Sequence, residues 1–399
     1  MAFVHIAITD LRPGMYIVQT GESWKNRPYL YAKPGLVTNE KEIEEIIRQG
    51  FHDAYYDPEK AQSQTKSDDT LAKANANRVQ KAQQIPIHEE ISRQQKPYEE
   101  FVSHMLNVME DARSGRVTLS AQDFIVQDIM QSMSRNRDAL LCLSKLKTFD
   151  NYTYAHSVNV SILSIAFGFH LGMQGDDLHM LGLSGLFHDI GKMKIPPAIL
   201  NAPRKLSPDE FRLIKRHPLY GTELLAKARG VDQCIIDGVL DHHERYNGSG
   251  YPNKRRGPEI SAFGSILSIC DVYDALTSKR VYKDPLSLSQ ALSIMYDMRG
   301  DAWDQELLEH FIKMIGIYPV GTPIALTGGF KGLVVQSNPQ APLYPTVVLC
   351  LDRNGNYLKK PERIDLAQQH DIQIIKAINT DTFPVDIQAL LFEGNIQPL

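Results

Sequence analysis

At 399 residues the chain is long enough for two or three domains, and its 43% hydrophobic and 23% charged content is that of an ordinary globular protein. A formal net charge of −4 leaves no basic footprint, which disfavours broad nucleic-acid binding. No apolar run reaches the length of a membrane span, and the first residues lack the charged and apolar regions of a signal peptide. Cys142, Cys234, Cys270 and Cys350 are scattered without CxxC spacing, so they read as reduced thiols of a cytoplasmic protein.

Residues 1–56 read as a small α+β unit. Strand-like stretches at 4–9 and 15–19 flank the turn Arg12-Pro13-Gly14. Asn39 can cap a helix with Glu42 at its third position, Ile43, Ile46 and Ile47 form its apolar stripe, and Gly50 stops it before a further strand at 51–56. The rim of Ser23, Trp24, Arg27, Pro28 and Tyr29 reads first as a packed corner, then as a binding edge.

From 57 to 97 the composition turns to Gln, Lys, Ser, Asp and Ala, as in a polar linker. Connecting helices are expected over 98–148. The first carries Tyr98, Phe101, Met105 and Val108, and the second follows Ser120 with Asp123, Ile125, Ile129 and Leu140. Residues 149–316 read as successive helices at 151–171, 175–189, 207–216, 218–229, 231–243, 258–278, 286–297 and 303–314, an all-α domain. Beyond 317 the pattern changes to period two, with strands at 322–327, 332–336, 346–352 and 371–378 and a hairpin turn at Asp352-Arg-Asn-Gly355. The expected fold is therefore multidomain and mainly α: a helical domain flanked by a small N-terminal α+β domain and a β-rich extension at 317–399.

The side chains able to do chemistry gather in the helical domain. The apolar run at 181–187 ends in His188-Asp189, followed by Gly191 and Lys192. Neighbouring helix positions point about 100° apart, so this pair offers an imidazole and a carboxylate in two directions. A carboxylate has two oxygens and can bridge two ions. His156 lies mid-helix, His217 precedes Pro218, His242-His243 end a helix, and Asp271 sits in an apolar helix followed by Arg280 and Lys283. Singly, each histidine has a plain structural reading: a hydrogen-bonded core imidazole, a helix cap, or a polar helix end. Five histidines and two acids gathered at helix ends and apolar faces of one domain need partners or a metal. Mixed imidazole–carboxylate sets suit iron, manganese, nickel or zinc.

His156, His188-Asp189 and Asp271 resemble the H…HD…D pattern of the HD phosphohydrolase superfamily. With His217, His242-His243 and Gly250-Tyr251-Pro252, the stretch from 140 to 315 resembles the HD-GYP family, bacterial phosphodiesterases of cyclic di-GMP. The N-terminal unit resembles an uncharacterised domain that often precedes that family.

The resemblance implies one divalent ion held by His156, His188, Asp189 and Asp271. Asp189 would bridge it to a second ion held by His217, His242 and His243. Fe or Mn are the expected ions, with Ni, Mg or Zn as others. Asp189 and Lys192 would serve catalysis, and Lys192, Arg280 and Lys283 would bind the phosphates of the substrate, where Arg offers a bidentate fork. Two such cations activate water for in-line attack on a phosphodiester, giving pGpG, GMP or both. Some members carry a Glu one turn before the first histidine and build a three-metal site; here Tyr152 stands there, so a two-metal site is expected.

Gly250, Tyr251 and Pro252 read either as a tight turn or as a stacking surface, a loop linked in the family to diguanylate cyclase (GGDEF) domains. A homodimer is a further expectation. The alternatives are hydrolysis of another cyclic dinucleotide such as cyclic GMP-AMP, a non-catalytic sensor or scaffold, and a general HD nucleotidase. The terminal units carry no assigned chemistry.

Overall fold

A computed structural model describes residues 4–7, 10–20, 35–37, 39, 43, 53–56, 85–117, 120–146, 152–228, 230–278, 285–338, 341, 343–369, 371–378 and 382–393. The expected helix over 39–50 (apart from 39 and 43), the rim at 23–29 and most of the linker lie outside these residues.

The N-terminal unit contains an antiparallel sheet of β1 (Val4–Ala7), β2 (Tyr16–Thr20), β3 (Gly35–Leu36) and β4 (Asp53–Tyr56), in the order β1-β4-β2-β3. Val4 and Ile17 both pair with Tyr56, and Leu11, Ile17 and Val37 are buried. The three strands expected from alternation are present, and β3 adds a short fourth.

The first long helix, α1 (Ile87–Arg113), starts well before Tyr98, so the last residues assigned to the linker are helical. The sequence conceals this because its early turns bury polar residues. Glu90 is fully buried against Arg135, with Nη2 to Oε1 at 2.8 Å and Nε to Oε2 at 3.0 Å, and also accepts from Ser132 Oγ at 2.7 Å. Buried charges of this kind persist only when paired, and the partners lie more than forty residues on. Pro97 sits inside the helix.

The helix expected after Ser120 divides into α2 (Ser120–Arg135) and α3 (Arg137–Leu146), which places Leu140 on α3. Asn136 makes the break: its Oδ1 accepts from the Asp138 amide at 3.1 Å and its Nδ2 donates to the Ile85 carbonyl at 2.9 Å. Asn side chains compete with helical backbone bonding in this way.

The helical domain continues through α4 (Tyr152–His170), α5 (Gly175–Phe187), a 3₁₀ segment (Ile190–Lys194), α6 (Pro197–Leu200), α7 (Pro208–Ile214), α8 (His217–Leu225), α9 (Gln233–Asp241), α10 (Ala262–Thr277), α11 (Leu288–Asp297) and α12 (Gln305–Ile315). From Ala155 to Phe167, α4 is buried on every side, as a central helix must be. Side-chain caps mark the starts of α7, α9 and α10, the last of them four residues later than the expected 258. Ser207 and Glu210 form a capping box, Asp232 accepts from the Cys234 amide, and Ser261 accepts from the Gly264 amide. Among the described residues no helix is long and apolar enough to cross a membrane.

The C-terminal extension is an antiparallel sheet of β5 (Pro323–Leu326), β6 (Lys331–Gln336), β7 (Thr346–Leu351), β8 (Tyr357–Asp365) and β9 (Ile374–Ala377), ordered β8-β7-β6-β5-β9, followed by α13 (Ile387–Glu393). Ile324, Leu326, Val334, Val347, Leu349 and Ile364 form its core. The hairpin turn closes with Asp352 and Asn356 amide–carbonyl pairing at 2.9 Å. β8 is unmarked by alternation because it is an edge strand carrying Lys, Arg and Pro361, residues that guard sheet edges. Asp138 on α3 holds the chain just after β6, accepting from the Ser337 amide at 3.0 Å and from Ser337 Oγ at 2.9 Å.

Candidate metal centre

Six of the seven expected ligands sit at helix ends or in buried helix, and the seventh, Asp271, reaches them from α10. His156 is in the first turns of α4, and His188 and Asp189 fill the turn between α5 and the 3₁₀ segment. His217 opens α8, and His242 and His243 follow α9. Close backbone packing brings these ends together. A Cβ on Gly191 would lie 1.9 Å from the His217 carbonyl oxygen and 2.4 Å from the Gly221 nitrogen, so only glycine lets the 3₁₀ segment lie against α8.

Asp189 is the centre of the cluster. Its Oδ2 lies 3.3 Å from His188 Nε2 and 3.8 Å from His156 Nε2. Its Oδ1 lies 3.3 Å from His217 Nε2 and 3.9 Å from His242 Nε2. Two ligand sets therefore share one carboxylate: His156, His188 and Asp189 on one side, and Asp189, His217, His242 and His243 on the other. Asp271 spans both, with Oδ1 2.9 Å from His156 Nε2 and Oδ2 3.8 Å from His243 Nδ1.

Three of the histidines are fixed in one tautomer. Nδ1 of His188, His217 and His242 donates to the carbonyl three residues earlier, Gly185, Ile214 and Val239, at 2.8, 2.8 and 2.7 Å. This leaves the Nε2 of these three as an inward lone pair, the arrangement that metal-bound histidines adopt. Nε2 of His217 and His242 then face each other at 3.1 Å with no proton to share, and His188 Nε2 and Asp189 Oδ1 are buried without hydrogen-bond partners. Converging lone pairs in a buried site call for a cation.

For His217, His242 and His243 the electrostatics agree with that reading. Burial first, then the neighbouring imidazoles and Lys192, hold His217 down to about 3 and His243 to about 4; burial and its imidazole neighbours hold His242 far below its usual range. All three stay neutral, as ligands must be. Burial alone would also lower His156, but hydrogen bonds to Asp271 and Asp274 outweigh it and raise it to about 9. Burial opposes ionisation of Asp189, yet Lys192 and His188 keep its carboxyl well below the usual range. Lys192 Nζ reaches Asp189 Oδ2 at 2.5 Å, and positive charge thus already stands where a cation would.

Gly250, Tyr251 and Pro252 pack beside this cluster. A Cβ on Gly250 would lie 2.4 Å from the Arg245 nitrogen, so the loop presses directly on the chain after His243. The Tyr251 ring lies 4.7 Å from that of His243 at 33°, and Lys215 Nζ is 5.5 Å from the Tyr251 ring. Two buried acids clamp the loop. Glu244 Oε1 accepts from the Asn253 amide at 2.7 Å, and Asp241 Oδ2 accepts from Arg255 at 2.7 Å and from the Ser261 amide at 2.9 Å. Within the chain the ring neighbour of Tyr251 is His243.

Sequence reading missed Asp274, which accepts from His156 Nδ1 at 2.8 Å and pairs with Lys145 Nζ at 2.7 Å. The available signal was spacing: Asp274 lies one helical turn beyond Asp271. Arg280, Lys283 and the side chain of Tyr152 lie outside the described residues.

Residues 132–307 match the family model of the HD domain, residues 4–119 that of a domain of unknown function (DUF3391), and residues 324–384 that of a KOW domain associated with HD domains. The chain is similar to cyclic di-GMP phosphodiesterase PA4108 of Pseudomonas aeruginosa, 34% identical over 369 residues, 91% of this chain and 89% of that protein. It is 31% identical to the cyclic di-GMP phosphodiesterase response regulator RpfG of Xanthomonas campestris, over 53% of this chain and 57% of the relative. The 3'3'-cGAMP-specific phosphodiesterase 2 of Vibrio cholerae is 34% identical over 41% of this chain and 33% of its own length. The near-complete span shared with the Pseudomonas enzyme, together with the HD-domain match over the His/Asp cluster, shows that the chain belongs to the HD-GYP phosphodiesterase family, in the form preceded by a DUF3391 domain.

Proposed function

We propose that this protein is a metal-dependent phosphodiesterase that hydrolyses cyclic di-GMP to pGpG, GMP or both, with two divalent ions, Fe or Mn, at the His/Asp cluster. The observation that carries the reading is Asp189, whose two oxygens face two separate imidazole sets across a buried site. His156, His188, Asp189 and Asp271 would hold one ion, and Asp189, His217, His242 and His243 the other. When bound, such ions supply Lewis acidity that acidifies water and offsets charge in an in-line displacement.

The chain's own residues supply the rest. Asp189 fixes the spacing of the two ligand sets. Lys192 is one-quarter exposed in its side chain and leaves Asp189 for a substrate phosphate once the carboxylate is neutralised from both sides. There it adds electrostatic stabilisation to the transition state. Arg280 and Lys283 are assigned to the remaining phosphate charge by their place in the sequence motif. Tyr251, stacked on His243, keeps that ligand oriented and closes one side of the site to water.

A second reading, hydrolysis of a mixed cyclic dinucleotide, is favoured by the similarity to the Vibrio cholerae enzyme named for 3'3'-cGAMP. Metal and phosphate ligands carry no information about bases. Anaerobic turnover by protein loaded with Fe(II) or Mn(II), with products separated by chromatography and Asp189→Ala as control, tests both. Metal-dependent pGpG or GMP from cyclic di-GMP, absent in the control, is expected. Faster turnover of cyclic GMP-AMP would favour the second reading. Full metal occupancy with no turnover of either would overturn both in favour of a sensor.

A further inference from the structure

The four ligand histidines with a described Nδ1 hydrogen bond differ in how they are held. His188, His217 and His242 donate to backbone carbonyls, whereas His156 donates to the buried carboxylate of Asp274. A carboxylate partner makes an imidazole a more basic ligand, and such partners tune metal affinity. Asp274 is itself held on three sides: Lys145 Nζ at 2.7 Å, Asn159 Nδ2 at 3.1 Å and Ser278 Oγ at 3.0 Å, all on Oδ1. Asn159 lies one turn after His156 on α4, and its Oδ1 accepts from Tyr98 O–H at 2.6 Å. Tyr98 is wholly buried on α1, and burial followed by the Asp274 charge keeps its phenol protonated.

The direction of these bonds matters. With Tyr98 donating, the Asn159 oxygen is committed to it and the amide N–H must face Asp274. Without that donor, the buried Asn159 oxygen loses its 2.6 Å partner and the amide is held through Nδ2 alone, on Asp274 at 3.1 Å and the Ser144 carbonyl at 3.4 Å, which loosens its grip on the carboxylate.

We infer that Tyr98, Asn159 and Asp274 form a positioning relay that makes the ion on the His156 side of the centre dependent on α1. The relay rests on the proposed reading of His156 as a ligand. Its starting residue lies within 4–119, the stretch matching the N-terminal domain of unknown function, and its end lies in the HD domain. A helix that falls within the N-terminal family match, yet belongs to the same compact unit as the His/Asp cluster, thereby supplies part of the framework of the metal centre, and a shift of α1 changes one ion and spares the other. Tyr98 touches neither substrate nor ion; it acts through Asn159 and Asp274.

The test is Mn(II) titration of the full chain, with free ion read by electron paramagnetic resonance, alongside Co(II) absorption spectra and thermal unfolding. Asp274→Asn should weaken one of two ions by about 10–100-fold, with Tyr98→Phe weakening the same ion by a smaller factor. The second ion should keep wild-type affinity in both, and the Co(II) bands of the affected ion should change. Met105→Ala is the control, since it removes a fully buried α1 side chain away from the relay. Wild-type affinity for both ions in both relay variants would overturn the inference, as would equal weakening of both ions in step with Met105→Ala. A wild-type chain that loads no ion would instead sink the ligand reading of His156, and the relay with it.

Discussion

Gly191→Ala is the sharpest probe of how the metal centre is assembled. The added methyl would sit 1.9 Å from the His217 carbonyl oxygen where ordinary contact begins near 3.4 Å, a shortfall of 1.5 Å. The next atoms met are the Gly221 nitrogen at 2.4 Å and its Cα at 3.0 Å, all backbone, so no side-chain rotation relieves the clash. Overpacking of a core costs about 1–3 kcal/mol and occasionally more, and a backbone obstacle puts this case at the upper end, about 3 kcal/mol. At about 2–4 °C per kcal/mol for a large domain, the melting temperature should fall by about 6–12 °C. The alternative to unfolding is displacement of the 3₁₀ segment from α8, which draws Asp189 away from His217, now 3.3 Å apart. Misplacement by about 1 Å can cost about 10²-fold in rate. Calorimetric melting with and without Mn(II), paired with turnover, checks this. A variant that melts with the wild type and binds metal equally well would refute the claim that backbone contact at Gly191 sets the spacing.

Three other outcomes are expected. Mn(II) at 100 times its dissociation constant should stabilise the native chain by about 2.7 kcal/mol, seen as a raised melting temperature that chelator reverses, and Asp189→Ala should abolish most of that gain. Tyr251→Phe keeps the ring on His243 and should leave metal affinity unchanged, while Tyr251→Ala removes a ring contact worth about 0.5–1.5 kcal/mol and should lower affinity and turnover together. Asp138→Ala leaves the Ser337 amide without its acceptor at a cost of about 1–3 kcal/mol; limited proteolysis should open the chain just after β6 while metal affinity stays at the wild-type value.

The ligands were legible in the sequence and their framework was not, for one physical reason. A ligand at a helix end announces itself locally, as a polar pair closing an apolar run, and His188-Asp189 and His242-His243 do this within a few residues of sequence. The groups that orient the ligands announce nothing local, because their partners are distant. His156 and Asp274 are 118 residues apart, and Tyr98 and Asn159 are 61 apart. The same limit explains the late start assigned to α1, whose buried Glu90 makes sense only beside Arg135, and the silence of β8, whose charged edge resembles a loop. Yet spacing held a clue: Asn159 follows His156 by one turn and Asp274 follows Asp271 by one turn, so each first ligand of the His156 side carries a polar companion on the same helix face. His188, His217 and His242 carry none, since backbone carbonyls at their own helix ends orient them. A ligand oriented by its own helix moves only with that helix, whereas one oriented through side chains of other helices answers to those helices too. On this chain that difference falls on one side of the shared Asp189, which is where coupling to the N-terminal region should be sought.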